Sequence, residues 1–183
     1  MSTEFLGCEG AGAWSWQNVG QIASGGAAGD VQLADLNGDK KADYIVVDPA
    51  SGATQAWLNG GPNPAGGQYI WLPQGTIASG AGLANKRVAF ADINADGRAD
   101  YLAISPDASV DAWLNGGRAG SAGRDWFWSS QGRIAGSYGP SFETSAFGDI
   151  NGDGRADYLV VDLTVFMYAY LMNGGDTGVI AAH

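Results

Sequence analysis

Three copies of one acidic stretch, spaced by a constant 57 residues, constrain this chain more than any other feature of it. The copies run from Asp35 to Tyr44, Asp92 to Tyr101 and Asp149 to Tyr158, each reading Asp-x-Asn-x-Asp-x-x-Ala-Asp-Tyr. A fixed period of this length predicts a repeat architecture, in which each unit buries its apolar face only against its neighbours.

The repeat also sets the phase of the segments around it. Ahead of the acidic stretches stand Val31-Gln32-Leu33-Ala34, Val88-Ala89-Phe90-Ala91 and Ser145-Ala146-Phe147-Gly148, whose period-two alternation reads as a strand with one buried face. After them come Tyr44-Ile45-Val46-Val47, Tyr101-Leu102-Ala103-Ile104 and Tyr158-Leu159-Val160-Val161. These apolar, β-branched runs predict central strands buried on both faces. A third segment carries Ala-Trp-Leu-Asn-Gly-Gly at Ala56 to Gly61 and Ala112 to Gly117. Its last copy, Tyr168 to Gly175, has no Trp and leaves its register open. A fourth has an aromatic-x-Trp pair followed by Gly-x-Ile-Ala, at Tyr69 to Ala78 and Trp126 to Ala135, and again ahead of the first repeat at Trp14 to Ala23.

The order along the chain is thus fourth strand, two full sets of four, then three strands. Repeated four-stranded antiparallel units around an axis are β-propeller blades, and a terminal strand completing the last blade closes the ring. The expected fold is all-β, with 1–13 as an N-terminal extension, 14–30 as a lone fourth strand, 31–80 and 81–137 as blades, and 138–183 as a blade lacking its fourth strand. Three blades are too few to close a ring alone. Two assemblies remain open: a fragment of a longer propeller, or a head-to-tail homodimer of six blades, in which each N-terminal strand completes the partner's third blade by strand exchange. The apolar stretch Val165 to Met172 fits an edge that must be covered.

Oxygen-bearing side chains at positions 1, 3, 5 and 9, with a free carbonyl at position 7, form the donor set that a hard cation such as calcium requires. The candidate ligands are Asp35, Asn37, Asp39, Asp43 and the Lys41 carbonyl; Asp92, Asn94, Asp96, Asp100 and the Arg98 carbonyl; and Asp149, Asn151, Asp153, Asp157 and the Arg155 carbonyl. About three ions per chain are expected. Carboxylates crowded so closely repel one another unless a cation lies between them. Position 12, a bidentate Glu in an EF-hand, is here Val46, Ala103 or Val160, so the loop joins strands rather than helices. Position 6 suits a positive φ where it is Gly97 or Gly154, while Lys40 costs roughly 1 kcal/mol there. A plain Asn-Gly or Asp-Gly turn without metal is the competing reading.

Composition removes several functions. The formal net charge of −10 disfavours nucleic acid and anionic membranes, since a phosphate-binding surface needs clustered Lys and Arg. Three divalent ions would offset six of those ten charges. No apolar run approaches spanning length, so membrane insertion is not expected. Met1 to Gly10 lacks the regions of a signal peptide, although a mature form whose export signal has been removed is compatible with a secreted, extracellular setting. Cys8 is the one cysteine, a potentially free thiol that identifies no redox compartment. The one histidine is His183, the last residue, so a buried Ser-His-Asp or Cys-His arrangement is not expected. No enzymatic activity is anticipated.

The segments Ala34 to Asp39 and Phe147 to Tyr158 closely resemble FG-GAP or VCBS repeats, and with the flanking strands the resemblance covers nearly everything after about Trp14. Such repeats build integrin α-chain propellers, fungal lectins of the Psathyrella velutina type and accessory regions of secreted hydrolases. The resemblance implies a calcium-stapled propeller that binds glycans or proteins, with the calcium positions carried onto the residues named above. It carries over no sugar contacts.

The recurring aromatics Trp14, Trp16, Trp57, Trp71, Trp113, Trp126 and Trp128 are the candidate ligand-binding residues. Indole faces pack well on the C–H faces of sugars, and repeated weak pockets give avidity on a multivalent surface. A multivalent lectin for glycans or glycoproteins is the preferred reading. The alternatives are a protein-interaction scaffold or an accessory fragment, with the same tryptophans simply packing between blades.

Overall fold

In a computed structural model, residues 18–23, 28–66, 68–80, 86–119, 125–139 and 142–174 are described. Trp14, Trp16, Cys8 and His183 lie outside them. The described residues form three antiparallel sheets and no helix. The first sheet holds β1 (Asp30–Ala34), β2 (Asp43–Val47), β3 (Thr54–Pro62) and β4 (Tyr69–Ala78), in sequence order. The second repeats it with β5 (Arg87–Ala91), β6 (Asp100–Ile104), β7 (Val110–Ala119) and β8 (Asp125–Ala135). The third holds β9 (Phe142–Gly148), β10 (Asp157–Asp162) and β11 (Met167–Tyr170). The result is an all-β repeat fold of propeller type.

Each acidic stretch is the hairpin between the first two strands of its sheet, as its strand-joining composition predicts. The strand that follows is two-sided in the first two sheets, whereas in β10 Leu159 and Val161 are only half-buried. In β6, Tyr101 and Ala103 pack with Ile45, Val47 and Ala56 of the first sheet, whereas Leu102 and Ile104 pack with Tyr158 and Val160 of the third. The core therefore consists of two apolar seams between sheets, and the middle sheet contributes to both. Gly75 and Gly132 have φ of 72° and 66°, where the ladders of β4 and β8 shift register. A left-handed residue at a bulge is the conformation glycine adopts at least cost.

The open register of the third copy resolves. Tyr158 pairs with Tyr170 as Tyr44 pairs with Trp57 and Tyr101 with Trp113, so Tyr170 holds the tryptophan position. Met172 then stands where Asn59 and Asn115 stand, and Asn173 falls one residue beyond.

Residues 18–23 form no strand, yet they carry the contact expected of a preceding fourth strand. The Trp71 indole Nε1–H donates to the carbonyl of Ile22 at 2.7 Å, as Trp128 donates to that of Ile77 in β4 at 2.7 Å. At the other end of the array β11 is exposed along its whole length.

Candidate metal centre

The three hairpin loops share one backbone. Positions 4 and 6 are left-handed in every copy: Gly38 and Lys40 at 79° and 65°, Ala95 and Gly97 at 62° and 84°, Gly152 and Gly154 at 79° and 89°. The expected strain at Lys40 is present, and Ala95 bears the same burden at position 4, where the other two loops have glycine. These two reversals turn successive amides inward onto the position-1 carboxylate. Asp35 Oδ1 accepts from Gly38 N at 2.8 Å and Oδ2 from Lys40 N at 2.7 Å. Asp92 does so from Ala95 and Gly97 at 2.7 and 2.8 Å, and Asp149 from Gly152 and Gly154 at 2.7 and 2.9 Å.

The next candidates continue the same pattern. The side-chain oxygens of Asn37, Asn94 and Asn151 accept the amides of Asp39, Asp96 and Asp153. Those aspartates accept in turn from the amides of Lys41, Arg98 and Arg155. In the first two loops the position-7 cation also returns to the position-5 carboxylate: Lys41 Nζ to Asp39 at 2.8 Å, Arg98 to Asp96 at 2.6 Å. The Lys41 contact holds the Asp39 carboxyl below its usual range.

Position 9 differs in setting. Asp43, Asp100 and Asp157 are fully buried. Each joins its loop to the third strand or its continuation. Asp43 accepts from Leu36 N and Asn59 N, Asp100 from Ile93 N and Asn115 N, Asp157 from Ile150 N and Met172 N, all at 2.7 to 3.0 Å. Burial nevertheless raises Asp43 and pushes Asp100 up to about 6, because desolvation of the charge outweighs the two donors. The amides of Met172 and Ile150 instead hold Asp157 below the usual range. Its loop has no further sheet beside it among the described residues, so desolvation weighs less there.

Among the described residues no group of three or more His, Cys, Asp or Glu side chains is drawn together as a metal cluster. The donor chemistry still fits a hard cation, because each loop offers three carboxylates and one amide oxygen. Positions 3 and 5 are exposed in the first and third loops, and position 5 in the second.

The loops also tie sheet to sheet, which motif spacing alone had not shown. Ala99 N donates to the Asp35 carbonyl and Ala156 N to the Asp92 carbonyl, both at 2.7 Å. Asn115 Nδ2 reaches the Leu36 carbonyl of the first sheet at 2.9 Å. The hydroxyl of Tyr101 donates to the Gly52 carbonyl, and that of Tyr158 to the Ala108 carbonyl, each in the hairpin turn of the sheet before. The available signal was the recurrence of Ala at position 8 and Tyr at position 10, which no metal ligand set requires.

Trp57, Trp71, Trp113, Trp126 and Trp128 are all half-buried. Trp113, Trp126 and Trp128 pack against the first seam, and Trp128 meets Tyr101 and Phe90 edge-on at 6.0 and 6.4 Å. Trp57 meets Tyr44 edge-on at 5.5 Å. Two stacked pairs recur on the fourth strands, Tyr69 with Trp71 at 6.5 Å and Trp126 with Trp128 at 6.4 Å. The Trp126 indole N–H is buried without an acceptor.

Residues 35–103 and 92–160 each match the family described as FG-GAP-like repeat. Each match starts on the first aspartate of one acidic loop and ends inside the central strand of the next sheet, so the matched unit spans a seam. Neither the comparison with curated proteins nor that with solved structures returned a match.

Proposed function

The chain belongs to the FG-GAP-like repeat family, and from that premise we propose that it is a calcium-stabilised, non-catalytic propeller module whose ligand is carbohydrate. The observation that carries the calcium reading is the threefold identity of the loop, with left-handed positions 4 and 6 and oxygen donors at positions 1, 3, 5 and 9. Asp35, Asn37, Asp39 and Asp43 would hold one ion with the Lys41 carbonyl, Asp92, Asn94, Asp96 and Asp100 a second with Arg98, and Asp149, Asn151, Asp153 and Asp157 a third with Arg155. Bound calcium would neutralise the crowded carboxylates and fix each hairpin against its neighbour. Two copies joined head to tail would form a six-bladed ring.

Support for a glycan or glycoprotein partner comes from the repeated aromatic pairs Tyr69–Trp71 and Trp126–Trp128, half-buried at equivalent places on two sheets. Calcium and glycans both suit an extracellular setting, and among the described residues no helix is long and apolar enough to cross a membrane. The use of the Trp71 and Trp128 indole N–H groups between neighbouring segments favours a second reading, a protein-interaction scaffold in which these rings serve packing alone. A glycan array probed in calcium and again in EDTA decides between them. Weak, multivalent, calcium-dependent binding that is lost in Trp126→Ala supports the lectin. Silence across the array, with a protein partner captured in calcium, supports the scaffold.

A further inference from the structure

The third sheet has an apolar cleft of about 220 Å³ beside its open edge, lined by Ile134, Tyr138, Phe147, Tyr158, Tyr170 and Met172. The repeat identifies what fills this place elsewhere. In the second sheet the residues equivalent to Phe147 and Tyr158 are Phe90 and Tyr101, and Trp128 of the fourth strand rests on both. Its Nε1–H donates to Ile77, whose equivalent is Ile134. In the first sheet Trp71 rests against Tyr44 at 5.9 Å and donates to Ile22. No fourth strand joins the third sheet among the described residues. There Phe147 and Tyr158 lie stacked at 5.0 Å and 26°, whereas Phe90 and Tyr101 stand at 90° beneath their indole.

The two ends of the array are complementary. At the first sheet Val31 is 56% exposed although its equivalent Val88 is 6% exposed. The Tyr44 hydroxyl meets no turn carbonyl among the described residues, unlike those of Tyr101 and Tyr158. At the third sheet the turn equivalent to Gly52 and Ala108 is at Val165, with φ of 64°, and Val165 and Phe166 are exposed.

The sequence carries one further copy of the missing strand. Trp16 precedes Gly20 by four residues, as Trp71 precedes Gly75 and Trp128 precedes Gly132. The segment that follows Trp16 is held at the first sheet, the opposite end of the array from the cleft. We propose that the cleft of one copy is the receptor for Trp16 of a second copy, whose indole rests on Tyr158 and Phe147 and donates its N–H to the Ile134 carbonyl. In the same join Tyr44 of the second copy would reach the turn at Val165. The inference rests on the two-copy ring proposed above and assigns the residue that locks it.

Sedimentation equilibrium of the full chain from 0.1 to 50 µM tests it, on the wild type, Trp16→Ala, Trp16→Phe and, in the cleft, Met172→Lys. The expected result is a wild-type dimer whose dissociation constant rises at least tenfold in Trp16→Ala and Met172→Lys. Trp16→Phe, which keeps a ring and loses the donor, should fall between. A wild-type dimer unaffected by both Trp16→Ala and Met172→Lys overturns the assignment of Trp16 and leaves the ring standing. A wild type that remains monomeric throughout overturns both, and assigns the cleft to another occupant, such as residues 175–183 of the same chain.

Discussion

Ala99 donates its amide to the carbonyl of Asp35 across the boundary between two sheets, and 57 residues later Ala156 makes the same bond to Asp92. Position 8 of one loop is thereby held by position 1 of the loop before it. The conformation of a loop and its place beside its neighbour are fixed together.

Asp100 is where that coupling is most exposed to mutation. Asp100→Ala strands the amides of Ile93 and Asn115 in a buried setting, at a cost of about 2–4 kcal/mol. For a chain of this length the melting temperature should fall by roughly 5–12 °C. A thermal scan by circular dichroism showing a fall of less than about 2 °C would mean that the clamp is dispensable.

Calcium added to the EDTA-treated chain should raise the melting temperature, by the equivalent of about 2.7 kcal/mol for each ion bound when calcium exceeds its dissociation constant a hundredfold. Combining Asp39→Ala, Asp96→Ala and Asp153→Ala should abolish the rise. Identical melting curves in calcium and EDTA for the wild type would remove the metal from the account.

Lys40 and Ala95 hold left-handed conformations that glycine occupies at other positions 4 and 6 of the three loops. Lys40→Gly and Ala95→Gly should each stabilise the chain by about 0.5–1 kcal/mol, read as a higher urea midpoint with an unchanged slope. A lower midpoint for either variant would show that the side chain contributes more than its backbone strain costs.

Asp111 accepts from Lys86 Nζ at 2.6 Å, with Arg133 at 3.5 Å, and these cations hold its carboxyl below the usual range. A lowered folded-state value stabilises the fold above the unfolded value near 4, and the contribution is lost as pH falls through the folded value. Asp111→Asn should therefore cost about 1 kcal/mol at pH 7 and less at pH 2.5, below the unfolded value, in urea unfolding. An equal cost at both pH values would assign the effect to packing instead.

Much of the fold was legible because its central strands are continuously apolar and its loops recur at one spacing, whereas the alternation ahead of the first loop misleads, since Val31 and Leu33 of β1 are both exposed. The hairpin nature of the acidic loops, the two-sided burial of β2 and β6, and the left-handed Gly97 and Gly154 at position 6 follow from residue type, whereas in β10 Leu159 and Val161 stay half-buried. The third-copy register was not, because Met172 and Asn173 both follow Leu171 without a tryptophan to anchor the alignment, and only backbone pairing of Tyr158 with Tyr170 separates them. The buried clamp at position 9 was equally hidden. A carboxylate suits a metal or a pair of amides, and Asp100 shows its amides only once Asn115 is brought beside it in space. The bonds between loops use main-chain atoms, about which side-chain spacing is silent.

The bonds of Tyr101 to Gly52 and Tyr158 to Ala108 draw donor and acceptor from adjoining units, and both partners are carried within each period of the sequence. A duplicated unit thus arrives with half of the contact needed on either side. Such an array lengthens or shortens by whole periods without inventing a new interface, which makes gene duplication a structurally conservative event for this chain.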